Sequence, residues 1–289
     1  MLALLLAPLL AGCPSQRDEK AVASPFPAER KPWRWPDKLP AGATGELVSY
    51  GKELVAHTAR HLGPAARDKS LRLAGNNLAC ASCHLADGTQ EHAIGFVGIA
   101  GRFPAYYAPL DRKIGLSERI NACFERSLNG KPLPTAGREL KALVAYLSWL
   151  SQEVPPGQTL SGSGLPVLEP PPRAAAPKAG EKLYAYHCAA CHGLKGEGSL
   201  AEEKDPGAGY TFPPLWGTGS FGQGSNMARL LIATRYIKAN MPLGRPVLTS
   251  AEAYDIAAYM LSHDRPAWPG AGKDYPNPAT RPVDLPYRH

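Results

Sequence analysis

Two short motifs constrain this chain more than anything else in it: Cys80-Ala-Ser-Cys83-His84 and Cys188-Ala-Ala-Cys191-His192. Both are C-x-x-C-H. The spacing has a chemical reason. Two thiols about one helical turn apart reach the two vinyl groups of a haem and close thioethers, and the adjacent histidine offers its imidazole to the iron. A zinc site or a redox dithiol are the competing readings. Zinc would need further Cys or His ligands at matching spacing, and a thioredoxin-like dithiol would need βαβ patterning; the sequence displays neither. The expectation is two covalently bound haem c groups, attached through Cys80, Cys83, Cys188 and Cys191, with His84 and His192 as iron ligands.

At 289 residues the chain is long enough for two cores. Its helical patterns outnumber its strand patterns, and 30 prolines beside 29 glycines imply long irregular connections. Leu47, Tyr50, Leu54, Thr58 and His61 repeat at helical spacing before the first motif. After it, a helix from about Leu116 to Leu128 ends at Asn129-Gly130, a left-handed cap signal. Leu140, Leu143, Val144, Leu147 and Leu150 then form an apolar helical stripe. Past a Pro/Gly/Ser-rich stretch the order repeats: a helix from Gly180 into the second motif, another over 226–239, and a last one opened by the capping box Thr249-Ser-Ala-Glu252. The expectation is a mainly α protein made by tandem duplication, each half similar to a class I cytochrome c domain. The boundaries read 1–13 export signal, 14–40 proline-rich tether, 41–152 first domain, 153–178 linker, 179–268 second domain and 269–289 proline-rich tail.

The apolar run at residues 1–12 is too short to span a bilayer and reads as an export signal. Leu10-Ala-Gly-Cys13 resembles a bacterial lipobox, which predicts a lipid on Cys13 and a periplasmic, membrane-anchored protein; an ordinary signal with a chance cysteine is the alternative. The net charge of +7 is spread without a long Lys/Arg run, so nucleic acid is not an expected partner. A small anionic substrate or an acidic redox protein fits that balance better.

The far side of each iron is a separate question. In the second half Asn240-Met241-Pro242 offers a methionine that proline keeps extended, and thioether ligation raises a haem's potential. Met227 and Met260 sit at helical spacing and read as packing. The first half has no methionine between its motif and the linker. Its candidates are Cys123, His92, Lys131, His57 and His61, and the residues alone leave that choice open. Cys123 shares one helix face with Arg119 and Ser127, at i−4 and i+4. A buried structural cysteine is the alternative reading.

The stretch Arg119-Ile-Asn-Ala-Cys123-Phe-Glu-Arg126-Ser127-Leu-Asn-Gly-Lys131-Pro-Leu133 resembles the signature of the dihaem thiosulfate dehydrogenases, relatives of the cysteine-ligated haem subunit of the Sox complex. The resemblance covers roughly residues 45–268. It implies that Cys123 holds the first iron and Met241 the second, with the first haem catalytic and the second carrying electrons out to an electron-accepting cytochrome c or similar protein. It also implies the reaction: two thiosulfates give one tetrathionate and two electrons, reversibly. Arg119 and Ser127 match the family's substrate-binding positions, and Arg112, with Arg102 behind it, is the candidate for a further arginine. Cys123 could hold a sulfane sulfur covalently only by leaving the iron. Relatives with a lysine beside the methionine can ligate through it; here that neighbour is Asn240, with Lys238 the nearest lysine. Two rivals remain at this stage: a non-catalytic dihaem electron carrier, and a Sox-like subunit that joins thiosulfate to a carrier protein.

Overall fold

The computed structural model describes residues 33–287. The export signal, Cys13 and most of the tether lie outside them. The first half opens with α1 (Gly42–Ala56) and α2 (Thr58–Leu62), continues through the first motif and α3 (Leu85–Gly88), and forms a small hairpin of β1 (Ala105–Tyr107) and β2 (Arg112–Ile114). It closes with α4 (Leu116–Arg126) and α5 (Arg138–Trp149). The second half repeats the order with α6 (Pro177–His187), α7 (Ala189–His192), β3 (Ser199–Leu200), β4 (Tyr210–Phe212), α8 (Leu230–Asn240) and α9 (Ser250–Leu261). No helix among the described residues is long and apolar enough to cross a membrane.

In each half the first and last long helices pack across one another, α1 on α5 and α6 on α9. Both crossings pass at a glycine. A Cβ on Gly51 would lie 2.0 Å from the Ala142 carbonyl oxygen, and one on Gly180 would lie 1.9 Å from that of Asp255. Neither carbonyl can move without shifting its helix. This approach also explains which face of α1 is deepest: Gly45, Val48, Gly51, Leu54 and Val55 are buried, while Leu47 and Tyr50 flank them. Replacing Gly51 or Gly180 with valine is expected to lower the thermal midpoint through an overpacking cost of about 1–3 kcal/mol or more. Gly164→Ala, where a Cβ meets nothing within 4 Å, should leave it unchanged. Equal melting curves for all three would refute the close crossing.

The expected continuous helix up to His61 is instead broken at His57. The break sets the buried Thr58 hydroxyl against the first motif: it donates to the Leu54 carbonyl at 2.7 Å and accepts from the Cys80 amide at 3.0 Å. The predicted capping box is present, with Glu252 N donating to Thr249 Oγ1 and Thr249 N to Glu252 Oε2.

The connections are pinned down rather than loose. Trp33 Nε1 donates to the Ser161 carbonyl, and Trp35 packs on the core. Arg173 makes a bidentate pair with Asp255 at 2.8 and 2.7 Å. The C-terminal tail returns from the second half to the first, where Tyr275 N donates to the Pro109 carbonyl and Asp274 is buried against Arg126.

Candidate functional site

Helix α4 begins at an extended Gly115 and ends where Asn129 takes a positive φ of 53°, the predicted left-handed cap. It stops at Arg126, so Ser127 caps it rather than continuing it. One face of this helix, carrying Arg119, Cys123, Arg126 and Ser127, lines a cavity together with Cys80, Cys83 and His84. Arg119 Nη1 lies 2.9 Å from Cys123 Sγ. Cys123 is the largest influence raising Arg119 above its ordinary value. The Arg119 guanidinium also sits over the Tyr107 ring, 5.5 Å from its centroid. Ser127 Oγ donates to Ser225 Oγ at 3.0 Å, so the second half supplies part of the wall.

His84 Nδ1 lies 2.6 Å from the Ile94 carbonyl, which leaves Nε2 available to ligate a metal. Burial lowers the His84 pKa to about 4, so the ring stays neutral and able to coordinate. Burial also pushes the thiols of Cys80 and Cys83 up, to about 11 and about 12. Such thiols are mostly protonated near neutral pH, which argues against a reactive redox dithiol at this motif.

The second cavity repeats the pattern. Cys188, Cys191, His192 and Met241 line it, and His192 Nδ1 lies 2.8 Å from the Pro213 carbonyl. Burial raises Cys188 to about 11 and lowers His192. Met227 and Met260 line this cavity as well, but Met260 is held inside α9, whereas Met241 follows α8 with extended φ and ψ of −120° and 144°. The two cavities are neighbours. Leu78, Ala79, Cys83, Phe221 and Met227 line both. In each, a paired-thiol motif, a neutral histidine with one nitrogen tied to a carbonyl and a largely apolar wall together fit a haem held by two thioethers and one imidazole.

The other residues singled out by sequence fall in different places. Arg112 does not line the first cavity; it is an exposed side chain in a two-pronged pair with Glu118 across the β2–α4 turn. Arg102, the weaker expectation, does line it, and burial lowers its pKa. Arg126, which by sequence fits a solvated surface charge or a haem-propionate partner, lines the cavity and is buried in an ion pair with Asp274. Its helical position, seven residues after Arg119, was a signal that could have found it. Tyr107, Phe103 and the 224–227 segment carried no such signal, since only tertiary folding brings them to α4. Of the rival ligands for the first iron, His61 pairs with Glu53, while His57, His92 and Lys131 are not among the residues lining the cavity.

Comparison with known proteins follows the same division. Residues 72–155 match the family described as SoxA/TsdA, cytochrome c domain, and residues 175–260 match cytochrome C oxidase, cbb3-type, subunit III. The chain is 43% identical over 235 residues to the thiosulfate dehydrogenase of Allochromatium vinosum, covering 79% of this chain and 82% of that one. It is 38% identical over 232 residues to that of Stutzerimonas stutzeri, covering 80% and 71%. A solved structure, the as-isolated form of thiosulfate dehydrogenase (TsdBA) from Marichromatium purpuratum, superposes with a TM-score of 0.76 at 39% identity. That match covers 84% of this chain and 51% of the solved one, so this chain spans about half its length. The halves are thus two cytochrome c domains, and such domains bind haem c covalently.

Proposed function

Because this chain belongs to the thiosulfate dehydrogenase family, we propose that it is a dihaem oxidoreductase that joins two thiosulfates into tetrathionate and can run in reverse. The observation that carries this reading is the 2.9 Å contact of Arg119 with Cys123 inside the cavity of the first C-x-x-C-H motif. A carrier cytochrome has no use for a cationic pocket around a cysteine at the iron. An oxidant of dianions does.

One haem would be held by Cys80, Cys83 and His84 together with Cys123, and the other by Cys188, Cys191 and His192 together with Met241. Each supplies a one-electron acceptor when bound, and thioether ligation at the second favours electron flow toward it. The chain's own residues do the rest. Arg119 and Arg102 offset the charge of two dianions that would otherwise repel, and a guanidinium fork matches sulfonate oxygens. Arg126 is committed to Asp274 and adds little net charge there. Ser127 and Ser225 offer hydroxyls at the same cavity. The new bond forms between the two sulfane sulfurs, no bond to oxygen breaks, and the two electrons leave through the second domain to a redox protein. Export to the periplasm, with Cys13 as a lipid anchor, belongs to the same reading and rests on residues 1–13.

The test is thiosulfate-dependent ferricyanide reduction by the haem-loaded protein with tetrathionate quantified. One tetrathionate is expected for every two ferricyanides reduced. No tetrathionate formed or consumed in either direction would leave a dihaem electron carrier as the better reading.

A further inference from the structure

We infer that the last turn of α8 is a clamp that couples the iron-holding groups of the two domains, with Asn240 as its positioning residue; this rests on the haem-ligand reading above. Tyr236 and Asn240 lie one turn apart on the same face of α8. Both reach into the first domain. Tyr236 Oη donates to the Cys83 carbonyl at 2.9 Å, within the first C-x-x-C-H motif. Asn240, only 3% exposed, donates through Nδ2 to the His92 carbonyl at 2.9 Å and accepts at Oδ1 from Gln90 Nε2 at 3.1 Å. Its Nδ2 also meets the Tyr236 carbonyl at 3.1 Å, which ties the two contacts together.

The first-domain end of this clamp leads directly to an iron ligand. His92 stands two residues before Ile94, whose carbonyl holds His84 Nδ1. His92 and Ile94 have positive φ of 59° and 54°. For a β-branched isoleucine that conformation is strained and lasts only where surrounding contacts impose it. Asn240 supplies such a contact, opposite the bond from His92 N to the Gly162 carbonyl at 2.7 Å. If the Asn240 contact is lost, the loop can relax and the carbonyl that sets the His84 ring will shift, and with it the basicity of the imidazole. The second-domain end is shorter still: Asn240 is bonded to Met241. A shift at either ligand is therefore felt at the other, and coupling free energies are reciprocal.

Reduction potentials of both haems, resolved by spectral titration of the full holoprotein, test this with two mirrored variants. Asn240→Ala in the second domain is expected to shift the first haem's reduction equilibrium threefold or more, about 28 mV at about 59 mV per tenfold for one electron. Gln90→Ala in the first domain should shift the second haem's equilibrium and weaken the methionine–iron charge-transfer band. Glue between domains would lower the melting temperature without these cross-domain shifts. Normal haem content with each variant altering only its own domain's potential, or neither, overturns the clamp. If Asn240→Ala does not fold, the milder Gln90→Ala decides alone. A wild type without a methionine–iron band would sink Met241 as ligand, a separate failure, and the paired potentials would still decide the coupling.

Discussion

Cys123→Ala is expected to abolish thiosulfate-dependent electron transfer while leaving both haems attached. The reason is the division of labour within the first cavity. Attachment depends on Cys80, Cys83 and His84, none of which shares an element with Cys123, so loading should survive. Alanine is the best helix former, so α4 should persist as well. What disappears is the sulfur proposed as the iron's ligand and the partner of Arg119. A loss on the order of a hundredfold or more, about 2.7 kcal/mol of barrier, is the expected size. The ferric electron paramagnetic resonance spectrum should lose a thiolate-type signal at the same time. The variant should still pass electrons from an artificial donor to ferricyanide through the second domain. A variant that keeps wild-type tetrathionate formation would remove Cys123 from the chemistry and return the site to an ordinary electron-carrying haem. Arg119→Gln should produce a milder form of the same defect, since it keeps the Cys123 sulfur but removes the cation beside it that would meet the incoming dianion.

The parts of this molecule that could be read from sequence are those written in local spacing. The two C-x-x-C-H motifs, the i, i+4, i+8 face of α4, the Asn129 cap and the Thr249 box each depend on residues within one or two turns, and each appears where the pattern places it. The duplication was legible because it repeats those local patterns. What escaped depends on distance along the chain. Arg112 and Arg102 are alike as letters in a loop, and only the fold decides that Arg112, opening β2, pairs with Glu118 at the surface while Arg102, closing the turn before β1, lines the cavity. Ser225 enters the first-domain site from about a hundred residues away, with nothing in its neighbourhood to announce it. The proline-rich ending looked like a tail because its composition lacks a helical or strand period. Its fixed position comes from single polar contacts, which leave no periodic trace.

Those contacts carry the second large effect, that of Asp274→Ala. Asp274 is 3% exposed and accepts from Arg126 through both carboxylate oxygens, from Trp268 Nε1 at 2.9 Å, and from the Tyr287 hydroxyl. Arg126, itself buried, lies over the Trp268 ring at 4.5 Å with Tyr107 on another side at 5.7 Å. Removing the carboxylate leaves a guanidinium in this aromatic setting without a counter-charge, a change that costs about 3–5 kcal/mol for a buried pair. The tail responds first, because these bonds and the Asp284–Arg229 pair are what hold it. Trypsin should therefore cut after Lys273 many-fold faster in Asp274→Ala than in wild type, before the domains melt, once each rate is normalised to that of the denatured chain. Loss should reach the catalytic side too, since Arg126 is the immediate neighbour of Ser127 on the cavity wall. KM for thiosulfate should rise more than kcat falls. The double change Arg126→Met with Asp274→Leu separates charge burial from packing: replacing a buried pair by apolar groups of similar volume is often neutral, so tail protection should largely return. If the single variant resists trypsin like wild type, the tail is held by its apolar contacts alone. If the double variant is cut as fast as the single one, the directional bonds from Trp268 and Tyr287 to Asp274, rather than the unpaired charge, are what close the tail over the site.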